Sequence, residues 1–251
     1  MFGEGRSKKE ELGKQCFHPS YFLLLPLPSP SHMPLPHLRY LHGFGSGPKT
    51  EKGIELGKRL AGSCASYGIP DLEAGDFRGL TMQRMSQRVL ATCPSDGPVV
   101  LIGSSLGGYL ASLIAAARDL PNLAGLVLIA PAFAFTQRWQ QTIGTEGIAA
   151  WRSTGERLFF HHGEQRELPL GSAFLDSCRA LPDLPDNPCV PCAVIHGRDD
   201  ETVDHRHSVS WAQRHPVVEL HLVQGDHRLN TPRHAELIAW AVHDVCSRIQ
   251  D

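Results

Sequence analysis

The chain has 251 residues, long enough for one domain with a large core, and its 41% hydrophobic and 20% charged content is an ordinary globular balance. Lys+Arg 24 against Asp+Glu 26 gives a net charge of -2, which leaves no cationic surplus for nucleic acid or an anionic membrane surface. Seven cysteines, odd in number and scattered, do not make the dense disulfide framework of a small secreted domain.

Residues 1–32 differ from the rest. A charged stretch (Lys8, Lys9, Glu10, Glu11) leads into Tyr21–Leu25, followed by prolines at 26, 28, 30, 34 and 36. The apolar run is too short and too broken by proline to span a bilayer, so no stable membrane insertion is expected. It is brief for a signal peptide, and no A-x-A site follows. Proline fixes φ and removes backbone donors, so 1–32 reads as an extended or disordered arm before a domain over 33–251. Met33 as the natural start is the alternative. The expected compartment is the cytoplasm.

From Arg39 onward, β-rich runs alternate with helical ones, the pattern of a mostly parallel sheet covered on both faces. His37–Leu41 is a strand ending at the glycine-rich stretch His42–Pro48. Thr50 can cap a helix carrying Ile54, Leu56 and Leu60. A weak strand lies around Ser66–Ile69, and Thr81–Thr92 is a helix with Met82, Met85 and Val89 on one face. Val99–Ile102 is apolar on both faces, hence a central strand. An Ala/Leu-rich helix follows from Gly107 to about Leu120, then a buried strand over Leu126–Ala130. Residues 133–185, with two Trp and several Phe, break the rhythm and read as a small cap inserted after Ala130. The pattern resumes with a strand at Cys192–Ile195, a helix near His207–Arg214 and a strand at Val217–Val223. A last helix, opened by Thr231-Pro232, carries Leu237, Trp240, Ala241 and Val245.

Gly103-Ser104-Ser105-Leu106-Gly107 joins the central strand to the Ala-rich helix, which is G-x-S-x-G in the context that gives it meaning. So sharp a turn demands small residues two positions either side, and it raises the hydroxyl at a helix N-terminus. Only the Ser105 frame has glycine at both flanks, so Ser105 is the expected nucleophile. A serine needs a base, and the base needs an orienting carboxylate. Asp199, Asp200 and Glu201 compete on the loop leaving Cys192–Ile195, and the spacing H-G-x-x-D-x-x-V selects Asp200. His227, just past the last strand, is the expected base; His205, His207 and His221 are its rivals. The backbone N–H groups of Phe44 and Leu106 are the expected oxyanion donors.

Cys189 and Cys192 form a lone C-V-P-C at the entrance to an apolar run, and they read as ordinary thiols, with a disulfide or half a metal site as the alternative. The fourteen histidines do not fall at metal-ligand spacing, so no metal is expected.

With these pieces in place, the chain resembles small α/β-hydrolases of the YqiA-type esterase group and the acyl-protein thioesterase branch of the α/β-hydrolase-domain proteins. The matching stretches are L-H-G-F-G-S-G-P (41–48), I-G-S-S-L-G-G-Y-L-A (102–111), H-G-R-D-D-E-T-V (196–203) and G-D-H-R-L (225–229). The resemblance spans about 37–250. It departs at Asp204, where such proteins often carry proline. It implies a serine hydrolase without metal or organic cofactor that acts on a small-molecule acyl ester, or alternatively on a thioester, including acylated protein cysteines. Cofactor-free haloperoxidase or C–C bond hydrolysis, and a non-catalytic binding protein on the same scaffold, are more remote alternatives. The expected substrate pocket draws on His42, Gly43, Trp139, Trp151 and Phe174. A compact cap favours small or medium acyl groups.

Overall fold

A computed structural model describes residues 34–249. The chain divides between His32 and Met33, and the expected arm over 1–32 lies outside the described residues. In chain order the strands are β1 (His37–Leu41), β2 (Ser66–Gly68), β3 (Val99–Ser104), β4 (Leu123–Ile129), β5 (Glu156–His161), β6 (Arg166–Gly171), β7 (Cys192–Gly197) and β8 (Val218–Val223). The helices are α1 (Glu51–Arg59), α2 (Met82–Thr92), α3 (Leu106–Ala117), α4 (Phe135–Thr154), α5 (Ser172–Arg179), α6 (Arg206–Arg214) and α7 (Pro232–Arg248).

Six strands form one sheet in the order β2-β1-β3-β4-β7-β8, and every neighbouring pair is parallel. Parallel strands need crossovers, and helices on the two faces supply them. Side chains of a strand alternate between faces, and the core divides accordingly. Val99 and Leu101 of β3, Leu126 and Leu128 of β4, and Val194 of β7 pack with α2, α3 and Trp211 of α6. Val100, Ile102, Val127, Ile129, Ala193 and Ile195 face the other way, onto α1 and α7. Both faces are dry, which is why these strands read as unbroken apolar runs.

The helix starts follow their sequence signals unevenly. The Thr81 hydroxyl accepts from the Arg84 N–H, capping α2, and Met82, Met85 and Val89 are buried. Thr231 caps α7, accepting from the His234 N–H, while the His234 ring accepts from the Thr231 N–H and Pro232 fills the first turn. Thr50 stands at the N-cap of α1, yet its side chain makes no capping bond. Trp240 departs from the expected apolar face: it is 49% exposed, its ring edge-on to His221 at 5.3 Å. The buried stripe of α7 runs through Ile238, Ala241, Val242 and Val245, a helical repeat that turns position 240 outward.

Between β4 and β7 the inserted segment is more ordered than its sequence suggests. Helix α4 breaks at Gly144, whose φ of 74° and ψ of 165° are not helical. Strands β5 and β6 then form an antiparallel hairpin, separate from the main sheet. The adjacent pair Phe159-Phe160 blurs the period-two signal of this hairpin, which composition alone shows only as an aromatic patch. Tyr109 Oη donates to Pro182 O at 2.6 Å and Trp211 Nε1 to Pro185 O at 2.7 Å, tying the returning chain to the core.

Candidate active site

The turn from β3 to α3 places Ser105 at φ 52° and ψ -118°, a conformation that costs of order 1–3 kcal/mol in a residue with a side chain. The surroundings enforce it. The Ser105 N–H donates to Ile129 O of β4 at 2.9 Å, and its carbonyl accepts from the N–H groups of Gly108, Tyr109 and Ala132. The flanking glycines are a steric necessity: a Cβ on Gly103 would strike the Gly107 carbonyl and Gly108 Cα, and one on Gly107 would strike the carbonyl oxygens of Leu41 and His42.

His227 follows β8 on the exit loop, and its Nε2 lies 3.0 Å from Ser105 Oγ. Its Nδ1–H donates to Asp200 Oδ2 at 2.7 Å. Asp200 follows β7, with its side chain buried. Its other oxygen, Oδ1, accepts from the Thr202 N–H at 2.8 Å and the Val203 N–H at 2.7 Å. Burial alone would raise this carboxyl, but the bonds from His196, His227 and the Val203 backbone outweigh it and hold Asp200 well below the usual carboxylate range. Three side chains far apart in sequence thus form one relay from hydroxyl to imidazole to an ionised carboxylate. A serine so placed can lose its proton as its oxygen attacks an electrophilic carbon.

The competing residues lie elsewhere. Asp199 is exposed and accepts from Gln224 Nε2. Glu201 is exposed. His221 is held in β8 beside Trp240, His205 precedes α6, and His207 lies in that helix. His196 is the group that sequence reasoning passed over. Its Nε2–H is shared between Asp200 Oδ2 at 3.0 Å and Val203 O at 3.1 Å, and its Nδ1 accepts from Ser208 Oγ at 2.8 Å. The spacing of four residues to Asp200 across a tight turn was the available signal.

The His42–Gly47 loop follows β1, and Gly43 packs against Ser105, since a Cβ added there would lie 3.4 Å from the serine Cβ. Leu106 opens α3, so its N–H belongs to the first turn, which lacks intrahelical acceptors. The loop is pinned from outside. His162 N–H donates to Gly45 O at 2.6 Å, and His161 Nε2–H donates to Glu73 Oε2 at 2.7 Å, with both side chains buried. Burial raises the Glu73 carboxyl, partly offset by its bond to His161.

The residues expected to form the pocket differ in their exposure. His42 is only 1% exposed; its Nδ1–H donates to Gly43 O at 3.0 Å and its Nε2 accepts from the Leu72 N–H. Burial lowers its pKa, which favours the neutral ring. Its work is to hold the loop. Trp151 and Phe174 are fully buried, and the Trp151 indole N–H donates to Leu170 O at 2.9 Å. Both side chains are packed into the core among the aromatic rings around Phe44. Trp139 is half-buried, stacked on Phe159 at 5.1 Å and edge-on to Phe44 at 5.4 Å. A cleft of about 760 Å³ flanks the outer end of the loop, and its lining mixes apolar residues such as Phe77 and Leu168 with polar ones including Glu73, Arg78, His161 and Arg166.

Among the described residues, Cys189 and Cys192 are free thiols. No cluster of three or more His, Cys, Asp or Glu among them is arranged to hold a metal, and no described helix is long and apolar enough to cross a membrane.

A parallel sheet with Ser, Asp and His delivered in that chain order to the C-terminal ends of its strands defines the α/β-hydrolase fold class. Within that class the chain belongs to UPF0227, described as an uncharacterised protein family, whose model matches residues 37–239. No curated protein matches it. Among solved structures it is similar to α/β-hydrolase domain-containing protein 10 from mouse, with 22% identity, a TM-score of 0.72, and coverage of 85% of this chain and 90% of that one. A putative hydrolase from Agrobacterium vitis matches at 23% identity and TM-score 0.72, again over 85% and 90% of the two chains. Est1E from Butyrivibrio proteoclasticus with ferulic acid bound matches at 18% identity and TM-score 0.71, over 87% of this chain and 91% of that one.

Proposed function

We propose that this chain is a serine hydrolase that cleaves carboxylic esters of small to medium acyl groups through an acyl-enzyme on Ser105. The observation that carries the reading is the unbroken relay from Ser105 Oγ to His227 Nε2 at 3.0 Å and from His227 Nδ1 to Asp200 at 2.7 Å. Attack by Oγ forms the bond to the acyl carbon as His227 takes the hydroxyl proton. The negative charge moves to the carbonyl oxygen, where the N–H groups of Phe44 and Leu106 receive it. Each such donor contributes roughly 10²–10³ in rate. The ester C–O bond then breaks, and His227 returns the proton to the departing alcohol. A water molecule, deprotonated by the same imidazole, releases the acid and restores Ser105.

The size preference rests on the aromatic side chains around Phe44. Phe77, Trp139, Phe159 and Phe174 all lie within 5.4–5.8 Å of its ring, centroid to centroid, a packing that leaves little room for a long chain beside the oxyanion loop. Initial rates on p-nitrophenyl esters of increasing acyl length, measured beside acyl-CoA thioesters, test the reading. Short and medium esters are expected to turn over fastest, and Ser105→Ala to lose roughly 10³-fold or more with its fold intact. Equal rates for Ser105→Ala and the parent would remove the assignment. A preference for acyl-CoA would move it to thioester cleavage.

A further inference from the structure

We infer that His196 is a positioning residue for the catalytic acid and extends the relay into the protein by one imidazole and one hydroxyl. This rests on the serine-hydrolase reading of the site. His196 is wholly buried, as is Ser208 of α6. Both groups facing His196 Nε2 are acceptors, the Asp200 carboxylate and the Val203 carbonyl, so the ring carries its proton there. That leaves the Nδ1 lone pair for the Ser208 hydroxyl, which donates to it at 2.8 Å. The chain of contacts therefore runs Ser105, His227, Asp200, His196, Ser208.

A buried histidine can simply fill the inside of a turn. What distinguishes this one is the oxygen it chooses. Asp200 Oδ2 accepts from His227 and also from His196, while Oδ1 is held by two backbone N–H groups. The carboxylate cannot rotate without breaking several bonds to a charged acceptor, each stronger than a neutral one. The second imidazole also shares the charge on Oδ2, so a variant without it leaves more of that charge to the bond with His227. His196 thus sets the plane of the acid and how firmly it holds the base. Asp226 and Arg228 flank His227 in the chain. The His205 ring lies 6.4 Å from His196, and Lys52 contacts the Arg228 carbonyl beside His227.

The test is a set of kinetic pH profiles on one p-nitrophenyl ester for the parent, His196→Met, His196→Gln and Ser208→Ala. His196→Met removes the donor at similar bulk. It is expected to lower kcat roughly tenfold with little change in KM, and to move the acid limb of kcat/KM up by about half a pH unit. His196→Gln returns an N–H to the place of Nε2 and is expected to recover most of both. Ser208→Ala leaves the imidazole in place and should shift the limb in the same direction by less. A purely structural histidine would lower melting temperature and leave the acid limb where it was. Parental kcat and limb in His196→Met, or no recovery in His196→Gln, would overturn the inference; so would a parental profile in Ser208→Ala should His196→Met fail to fold. A parent chain that is inert and unlabelled by a fluorophosphonate probe overturns the hydrolase reading itself, whichever way the variants behave.

Discussion

Asp199 and Asp200 are neighbours in sequence with opposite surroundings. Asp200 is drawn inward, its carboxylate surrounded by donors from two imidazoles and two backbone amides. Asp199 faces solvent beside Gln224, where a charge is cheap to keep and cheap to remove. Asp200→Asn presents an amide where an acceptor is needed and leaves His227 free to take the wrong tautomer. It is expected to lower kcat by up to about 10⁴-fold, while Asp199→Asn stays within about twofold of the parent. Steady-state rates of the two variants decide the matter, and the reverse order would move the acid by one residue. The loop spacing made Asp200 legible in the sequence, and glycine flanks did the same for Ser105. His196 is hidden in the sequence because H-G-x-x-D points to the acid, while the bond back from the histidine forms only when the turn folds it onto Asp200. His42, Trp151 and Phe174 are buried in the structure, which the sequence does not show, because residue type indicates affinity for an apolar site and not which layer of packing a side chain joins.

Among the elements, the loop carrying His227 is held by α1. Lys52 Nζ of that helix donates to the Arg228 carbonyl. Burial pushes the Lys52 ammonium down to about 8 from a usual 10.5, although Asp226 opposes the shift. The folded chain therefore gives up this proton near pH 8 and the unfolded chain near 10.5. Between those values the unfolded state binds more protons, so this group makes stability rise with pH. Urea unfolding of the parent and Lys52→Met at about pH 7.5 and about pH 9.5 checks the sign. The parent is expected to gain on the variant at the higher pH; a constant gap would show that Lys52 is not desolvated in the fold. Neither the bond nor the burial was visible from sequence, since Lys52 and Arg228 belong to segments that meet only through the packing of α1 on α7. The β5–β6 hairpin was equally hidden. Its inner residues, Phe159 and His161, make sense only against Phe44, Phe77 and Glu73, partners that come from other parts of the chain.

At the scale of the whole molecule, the sheet explains why so much of the architecture was legible. Strands dry on both faces must be short, unbroken and apolar, so β3, β4 and β7 announce themselves. Right-handed parallel crossovers then leave few ways to order them. Strands β3, β7 and β8 end along the same edge of the sheet, and the loops that leave them bring Ser105, Asp200 and His227 together. An edge of this kind is where open parallel sheets hold their ligands. The inserted segment after β4 obeys no such rule, and its sequence shows its aromatic content without its topology.

Whether His227 activates the Ser105 hydroxyl is decided by intact-mass and peptide mapping after treatment with a fluorophosphonate. One adduct on Ser105 is expected in the folded parent, with little or none in His227→Ala under the same conditions. An adduct on any other residue, or equal labelling of Ser105 in the two proteins, would contradict that activation.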